Sequence, residues 1–509
     1  MYCTKPLYLR SLRPRIFALT VFLVLLGISS GSSLRAQCMG NLTLTGQDEV
    51  NGFRQTFPAC TEWTGSITVV GPVIDSLTAL RGLTSISGTL HLQELQVSAI
   101  DDLTDLDTVG TLALQRIFDL TSLLPVSRIK TAGLRLTGNP LLNNLLGGQH
   151  LRSLPEGLQV SANTRLVSLR GLDSLRYIGD ELSIQGNDTL QTIEALDSLV
   201  LTNTSTDVSI INNRQLASLE GLEGLRDVRG SVVVSSCPRV EDLEPLRNLT
   251  RATRGVTISN LPLLTNLTGL RSLQSTSNTL TLSSMPRVAD LRGLERLVQV
   301  GNNMIVSNMR GLKTLQGITS LRQIGGSLGL IALDSLTSLR GVEQLDTIGG
   351  LSIASSPRIE GLTNLDDDLH IEASLLLQGN DELRTCAVPP ICAFIARFPD
   401  QATVEENEVG CLDLAELTSR CEPIITEEQN AGTAKLAVVI DAHQRLQVVN
   451  VEPWHLSSTV RVYRADGTLA VAGELSTAGS MELSPLAAGV YIVHVVSAQR
   501  AASAQVWIR

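Results

Sequence analysis

The sequence predicts a mostly β protein in which a long leucine-rich solenoid is followed by a small β-sandwich. Three observations carry this prediction. Short β-like stretches recur about every 24 residues, an aliphatic residue stands at every third position between them, and this period stops after Cys421. A stacked array of short repeats explains the first two observations, and a separate module explains the third.

Composition agrees with a core built from many small layers. The chain has 509 residues, of which 43% are hydrophobic and only 3% aromatic, so Leu, Val and Ile must fill the interior. Residues 334–353 place an aliphatic side chain at every third position. A helix turns by about 100° per residue and a strand alternates its faces, so neither keeps such residues on one side. A chain that turns a corner every few residues does.

Each repeat is defined by one aliphatic residue, which we call the anchor, or position 0. Fourteen anchors follow one another at spacings of 22 to 26 residues. Apolar residues recur at positions 0, 2, 8, 11, 14, 17 and 20, so positions 0 and 2 are the inward side of a short strand. The anchors are Ile67, Leu90, Leu112, Leu134, Leu158, Leu182, Val208, Val232, Val256, Leu280, Met304, Leu328, Leu351 and Leu375.

Position 5 carries a recurring polar residue inside this apolar pattern. A buried Asn at this position satisfies turn backbone groups of its own and adjoining repeats. Cys237 occupies the same position, so we predict a buried, unreactive thiol. The Asn residues at position 5 are Asn139, Asn163, Asn187, Asn213 and Asn380.

Residues 1–36 have the pattern of an export signal. Four basic residues precede the apolar run "IFALTVFLVLLGI", and a small-residue stretch leads to a cleavage point after Ala36. A membrane anchor is the alternative, but the run of 13 residues is short of the roughly 20 that span a bilayer. We therefore expect an exported protein.

The charge of the chain argues against one class of partner. Removal of residues 1–36 takes away five basic residues and changes the formal net charge from −10 to −15. Nucleic-acid binding needs a basic face, so no nucleic-acid partner is expected.

Cysteines form two clusters at opposite ends of the leucine-rich region, as expected of an oxidising compartment. Cys38 and Cys60 predict one disulfide at the front. The four at the back allow three pairings, of which we favour 386–411 with 392–421. No His lies near them, so metal ligation is the weaker interpretation. The back cysteines are Cys386, Cys392, Cys411 and Cys421.

The repeat pattern "GxLxIxxNPxLxxLxGLxxLxxI" resembles the receptor L-domain, a leucine-rich solenoid of receptor ectodomains and secreted bacterial proteins. The resemblance covers 37–421 and implies a right-handed β-solenoid of about 14 coils of ~24 residues. It divides this region into an N-terminal cap (37–66), the solenoid (67–385) and a Cys-rich C-terminal cap (386–421). A plain leucine-rich-repeat horseshoe is the alternative.

The front cap is expected to contain an amphipathic helix. Thr45 is the predicted N-cap residue. Val50, Phe53 and Phe57 are expected to turn inward from one face of this helix.

Residues 422–434 form a predicted linker, and 435–509 change to alternating strand patterns. "VRVYRADG", "MELSPLAAGVYIVHV" and the terminal "AQVWIR" resemble the C-terminal sorting domain of type IX secretion. The motif residues are Gly467, Gly489, Val490 and Tyr491. The resemblance implies recognition by the outer-membrane type IX secretion machinery and a final location on the outer cell surface or outside the cell. A generic sandwich is the alternative.

No catalytic constellation is recognisable in the sequence. The six histidines are scattered, no phosphate-binding glycine motif occurs, and neither a metal site nor a cofactor is predicted. A solenoid enzyme of the pectate-lyase type would need acidic and basic residues at outward positions 1 and 3, where Ser, Thr and Gln dominate. We therefore predict a protein that is not an enzyme.

The outward positions predict a flat, polar and repetitive face that suits an extended partner. We expect a recognition or adhesion protein that binds an extracellular protein or glycan. A non-catalytic surface scaffold is the alternative, and a polysaccharide-degrading solenoid enzyme is a distant third. The candidate binding residues are Gln93, Gln115, Arg135, Gln159 and Gln185.

Overall fold

The computed structural model describes residues 38–200 and 206–421 and, beyond them, seven strands between 437 and 508. The chain divides into two compact units, Met1–Pro423 and Ile424–Arg509. The predicted leader, the predicted linker and Gly467 lie outside the described residues. Among the residues that are described, no helix has both the length and the apolar character needed to cross a membrane.

A parallel sheet of 21 strands dominates the first unit. Sixteen of these strands lie side by side, each paired with the strand of the next repeat. The chain is mostly β, and this sheet is compatible with a solenoid. The sixteen are Leu42–Leu44, Ile67–Val70, Ser85–Gln93, Thr108–Gln115, Lys130–Thr137, Gly157–Ser161, Glu181–Gln185, Asp207–Ile211, Val232–Ser235, Val256–Ser259, Leu280–Ser283, Met304–Ser307, Gln323–Ile331, Thr347–Ala354, His370–Asn380 and Ala402–Asn407.

Shorter strands run along a second line, near positions 19 and 20 of the repeats. Five belong to the large sheet and two form a separate pair. They are Glu62–Trp63, Asp227–Val228, Arg251–Ala252, Ser275–Thr276 and Gln299–Val300 in the sheet, and Ser153–Leu154 with Tyr177–Ile178 in the pair.

The register of the sheet follows the predicted anchors. Each of the fourteen anchors is the Cα partner of the next, from the Ile67–Leu90 pair to the Leu351–Leu375 pair. Leu42 and Ala402 extend the row by one strand at each end. The spacing of aliphatic residues in the sequence therefore predicts which residues lie side by side.

Backbone turns of three residues explain the apolar period of three. In the repeat anchored at Leu280, the N–H of Leu294 donates to Leu291 O (3.2 Å) and the N–H of Leu297 to Leu294 O (3.0 Å). A 3₁₀ turn has three residues, so side chains three apart share one side. All three leucines are fully buried, and burying one contributes about 2 kcal/mol. In some repeats the turn is a 3₁₀ helix: Thr78–Leu80, Leu124–Val126, Glu194–Leu196, Glu244–Leu246 and Thr268–Leu270.

The predicted asparagines at position 5 form a hydrogen-bond ladder from Asn139 to Asn213, and Asn380 belongs to a second, separate run. Asn163 Oδ1 accepts from the backbone N–H of Asn139 (3.0 Å), and Asn187 Oδ1 accepts from that of Asn163 (3.0 Å). Nδ2 of Asn163 donates to Leu136 O at 3.0 Å. These side chains are fully buried and satisfy backbone groups that water does not reach. Leu95 and Ile117 fill the same position in two repeats near the front, and there the anchors still pair directly.

Position 4, immediately after each strand, has a left-handed backbone conformation. Glycine fills it at Gly138, Gly186 and Gly379, with φ near 65°. Non-glycine residues fill it in most other repeats, at φ between 50° and 59°, although this region disfavours side chains. The non-glycine residues are Glu94, Arg116, Ala162, Asn212, Ser236, Asn260, Ser284, Asn308, Ala332, Ser355 and Glu406.

Replacing Ala162 by Gly is expected to stabilise the protein by about 1 kcal/mol, because Ala is strained at φ 56° and Gly is not. Chemical denaturation measures the change in unfolding free energy. Ala217 is also exposed but has no positive φ, so Ala217→Gly should instead destabilise the protein by about 0.5–1 kcal/mol. Equal destabilisation by both substitutions would contradict this explanation.

The front cap contains a helix, Gln47–Thr56. Val50 and Phe53 are buried, and Phe57 packs on Trp63 with ring centroids 5.0 Å apart. The prediction that Thr45 is the N-cap is wrong, because Gly46 occupies that position without a side-chain cap.

Thr45 lies one residue before the N-cap Gly46 and takes another role. Its backbone N–H donates to Glu49 Oε2 at 2.6 Å, and its hydroxyl to the same oxygen at 3.1 Å. A carboxylate in the first turn is also favourable near the positive end of the helix. The Glu49 side chain therefore accepts hydrogen bonds from Thr45 at the start of the helix, where Thr45 was expected to act as the cap.

Three disulfides connect the predicted cysteine pairs. Cys38 bonds to Cys60 in the front cap. In the back cap, Cys386 bonds to Cys411 and Cys392 to Cys421, which is the favoured pairing. The back cap contains helices Pro389–Arg397 and Leu414–Cys421 and the 3₁₀ helix Pro399–Gln401. A further short helix, Val97–Ile100, lies among the front repeats.

Asp102 makes the stability of the front repeats depend on pH. Partial burial raises its pKa, but hydrogen bonds from the Ser76 hydroxyl, the Leu77 N–H and the Thr78 hydroxyl, with the Arg81 charge, outweigh burial and hold the pKa below 3.8. A lowered folded-state pKa adds stability above the unfolded value, and this stability is lost as the pH falls through the folded value.

We therefore expect Asp102→Asn to destabilise the protein at pH 7 and to have a shrinking effect below about pH 4. Urea denaturation of both proteins from pH 7 to pH 3 measures the difference. A difference that is constant over this range would contradict the role of the ionised carboxylate.

The second unit contains two antiparallel sheets. One consists of Ala437–Ile440, Arg445–Val449 and Ser480–Glu482. The other places Leu469–Glu474, Thr459–Arg464, Gly489–Val496 and Ala501–Ile508 side by side. Gly489, Val490 and Tyr491 of the predicted sorting motif begin the third of these strands.

Candidate functional site

The outward face of the large sheet carries the predicted binding residues. A strand alternates its side chains, so positions 0 and 2 enter the core and positions 1 and 3 face away from it. In Val232–Ser235, for example, Val232 and Val234 are buried, whereas Val233 and Ser235 are partly exposed. We call the outward residues at positions 1 and 3 of the repeats the sheet face.

Parallel pairing brings the five candidate residues into two rows of this face. Gln93 and Gln115 are Cα partners in the row of position 3, and Arg135 and Gln159 are partners in the row of position 1. Gln185 also belongs to the position-3 row, but two other strands separate it from Gln115. The structure therefore forms two adjacent pairs and leaves Gln185 further along the sheet.

Three of the five side chains already have hydrogen-bond partners on the protein. Gln115 Oε1 lies 2.9 Å from His91 Nε2. Gln93 Nε2 donates to Glu94 Oε1 at 3.2 Å, and Gln185 Nε2 donates to Ser183 Oγ at 2.9 Å. These contacts fix the glutamines and reduce the hydrogen-bonding capacity that they offer to a partner.

Arg135 and Gln159 are the candidates that keep their polar groups available. Arg135 is exposed and Gln159 half-buried. Neither side chain forms a hydrogen bond or ion pair with the described part of the chain. Ala113, the neighbour of Arg135 on its other side, is buried and has no polar side-chain group to pair with the guanidinium. The donor groups of the sheet face therefore concentrate at this pair.

The sheet face carries little charge. From Thr68 to Gln378, positions 1 and 3 contain no carboxylate, and the one arginine among them is Arg135. At these positions the sequence offers no pair of carboxylates for acid–base chemistry. The side chains here donate and accept hydrogen bonds but do not create a strong field.

The last third of the face is more apolar than the sequence analysis expected. Ile305, Ile331 and Leu376 stand at outward positions, and Ile331 is 39% exposed. Gly329 lies beside Ile305 in the row of position 1. These residues could have been identified from the sequence, because they stand at positions 1 and 3 of their repeats, as Arg135 does.

Cys237 ends the first asparagine ladder and is fully buried. Burial raises the pKa of this thiol, although hydrogen bonds from the backbone and side chain of Asn213 oppose the rise. The Cys237 Sγ also lies 3.4 Å from Ser235 O. The thiol is therefore neutral at physiological pH and occupies a ladder position, as the sequence predicted.

No group of three or more His, Cys, Asp or Glu side chains that could hold a metal ion occurs within the described ranges. Comparison with the sequence profiles of known protein families and with curated protein sequences finds no match for this chain.

Proposed function

We propose that this is an exported recognition or adhesion protein of the outer cell surface or the extracellular space. Its sheet face binds an extracellular protein or glycan, with Arg135 and Gln159 at the centre of the contact. The observation that carries the proposal is the exposed Arg135 beside Gln159, both with available donors on a flat sheet. Arginine suits such a role because its planar fork donates in pairs to carboxylates and other acceptors.

The proposed architecture is a right-handed leucine-rich solenoid of about 14 coils with disulfide-linked caps, similar to a receptor L-domain. The three disulfides are consistent with an extracellular protein. Residues 1–36 would direct the chain across the inner membrane, and residues 435–509 would be recognised by the type IX secretion machinery. Residues 422–434 would link the two modules.

A ligand screen with the protein lacking residues 1–36 tests the recognition proposal. Arg135→Ala and Gln159→Ala should each weaken the binding of a hit, the first by about tenfold, since a charge-assisted contact contributes more than a neutral one. Thr281→Ala is the control, because Thr281 lies at position 1 of the same face, far from this pair. Unchanged affinity in both variants would reject the sheet-face site.

A surface scaffold is favoured by one specific observation. His91, Gln93, Gln115 and Gln185 hydrogen-bond within the protein, as expected of a face that only solvates the sheet. A scaffold would bind none of the screened proteins or glycans but would still reach the surface. Turnover of any polysaccharide would contradict both recognition and scaffold.

Deletion of residues 435–509 tests the sorting proposal. In a bacterium with type IX secretion, the truncated chain should stay in the periplasm, whereas the intact chain should be exposed to protease added outside the cell. Gly489→Asp in the full-length chain changes one residue of the sorting motif and should reduce surface exposure less than the deletion does. Undiminished surface display of the truncated chain would refute the assignment.

A further inference from the structure

A line of arginines follows the corner that comes after the main strands. Positions 6 and 7 of the nine repeats anchored from Leu158 to Leu351 contain six Arg and two Asp, with no other charged residue. This corner, positions 4 to 7 of these repeats, is called the turn edge below. It has a formal charge of +4 in a chain whose net charge is −10. The six, all exposed, are Arg165, Arg214, Arg239, Arg287, Arg310 and Arg358.

Most of these guanidinium groups have no carboxylate partner. Arg214 lies 3.4 Å from Asp188, and Arg310 lies 3.5 Å from Asp334. The other four form no ion pair with any residue that the structure describes. A row of unneutralised cations on an acidic protein attracts an anionic partner specifically to this edge.

A groove of about 730 Å³ lies along the turn edge. Most of the residues that line it have polar side chains, and Asn260 Nδ2 donates to Ser236 Oγ at 3.1 Å. Asn212 and Gln215 have no side-chain hydrogen bond with the described residues, so their amides are available to a ligand. The side chains used in this argument are Asp188, Asn212, Arg214, Gln215, Ser236 and Asn260.

Successive arginines are separated alternately by two repeats and by one. Arg239 and Arg287 occupy position 7 two repeats apart, and the pairs Arg165 with Arg214 and Arg310 with Arg358 have the same separation. Parallel strands lie about 4.8 Å apart, so two repeats span about 10 Å. This interval is close to the length of an extended disaccharide.

We propose that the turn edge binds a linear acidic polysaccharide with a carboxylate or sulfate in each disaccharide unit. The arginines contact the anionic groups as bidentate donors, while the amides and hydroxyls of the groove contact the sugar hydroxyls. An acidic peptide is disfavoured because the groove offers no pocket for apolar side chains, Pro238 being the one apolar residue among those that line it. This surface is separate from Arg135 and does not depend on the sheet-face proposal.

The test uses the chain without residues 1–36 and measures its binding to polygalacturonate, to a sulfated glycan (heparin), to neutral dextran and to polyglutamate. The double variant Arg239→Gln/Arg287→Gln should weaken binding to the acidic glycans by about tenfold. Arg176→Gln/Arg226→Gln is the matched control, because these exposed arginines stand at position 18 and make the same change in charge. Binding should also weaken as salt is added.

Saturable binding of either acidic glycan that is lost in the test variant and kept in the control supports the proposal. Absence of binding to both acidic glycans overturns it. Equal loss in the two variants also overturns it, because attraction would then follow charge alone. Tighter binding of polyglutamate than of the glycans would assign the edge to an acidic peptide instead. Unchanged circular dichroism spectra ensure that both variants are folded.

Discussion

Replacing Gly293 by Ala is expected to lower the free energy of unfolding by about 4 kcal/mol. Gly293 stands at position 13 of its repeat with a φ of 112°, a conformation that side chains rarely adopt. An added Cβ would lie 2.1 Å from the carbonyl oxygen of Leu267 and 2.6 Å from the backbone nitrogen of Thr268. Backbone atoms cannot rotate away, so a neighbouring repeat would have to move.

The same corner recurs along the unit, which makes the prediction general. Where position 13 is Gly with φ above 100°, an acidic residue at position 15 often accepts the glycine N–H. In the repeat of Gly293, both carboxylate oxygens of Glu295 lie 3.0 Å from that nitrogen. The glycines of this type are Gly147, Gly171, Gly221, Gly293, Gly317 and Gly341.

Other repeats build this corner without glycine and define the outcome that would contradict the prediction. Ala195 and Pro245 occupy position 13 inside the 3₁₀ helices Glu194–Leu196 and Glu244–Leu246. If Gly293→Ala converted its corner to that form, the loss would be about 1 kcal/mol or less. Denaturant unfolding distinguishes the two cases.

Gly52→Ala is the matched control for this experiment. Gly52 lies in the helix Gln47–Thr56, has no positive φ, and an added Cβ would meet no atom within 4 Å. Ala is favoured over Gly inside a helix, so this substitution should stabilise the protein by about 1 kcal/mol. The same chemical change thus has opposite signs at the two positions.

The register of the sheet could be predicted from the sequence because it depends on the spacing of aliphatic residues. Aliphatic residues at positions 0 and 2 must be buried, and a slip by one residue would expose them, so anchors such as Leu280 and Met304 pair directly. Asn at position 5 was predictable for a similar reason, since a buried amide is useful only where backbone groups need partners. Both signals are periodic and strong.

The left-handed corner at position 4 was not predictable in this way. Glu94, Arg116 and Ala162 adopt it without the glycine that normally marks a positive φ. The closure of each repeat imposes the conformation, and this tertiary requirement leaves no local trace. The groove of the turn edge was missed for a related reason, because Asn212, Ser236 and Asn260 come from three repeats.

The sequence predicted which residues lie on the sheet face. It did not predict which of their side chains are free of hydrogen bonds within the described part of the chain. Alternation along a strand shows that Gln115 and Arg135 face outward. It does not show that Gln115 contacts His91 while Arg135 contacts no partner among the described residues. Side-chain hydrogen bonds depend on which residues neighbour each other across strands. Because Gln93, Gln115 and Gln185 have such partners, Arg135 and Gln159 are the candidates that keep their polar groups available.

Replacing Asn163 by Leu is expected to cost about 3 kcal/mol, because the substitution leaves buried polar groups without partners. The backbone N–H of Asn139 loses its acceptor at 3.0 Å, and Leu136 O loses its donor at 3.0 Å. Denaturant unfolding measures the loss. The size of the new side chain is not the cause, since Leu261 and Met285 are fully buried at the same position of other repeats.

The ladder predicts that neighbouring substitutions are not additive. Asn163 and Asn187 are bonded to each other, with Nδ2 of the first donating to Oδ1 of the second at 3.2 Å. Replacing both by Leu removes this donor and this acceptor together, so the double variant should lose about 1 kcal/mol less than the two single losses combined. Strict additivity would show that each Asn acts alone. The run from Leu261 to Leu333 fits a cooperative ladder, because there position 5 is apolar in four consecutive repeats and no isolated Asn remains.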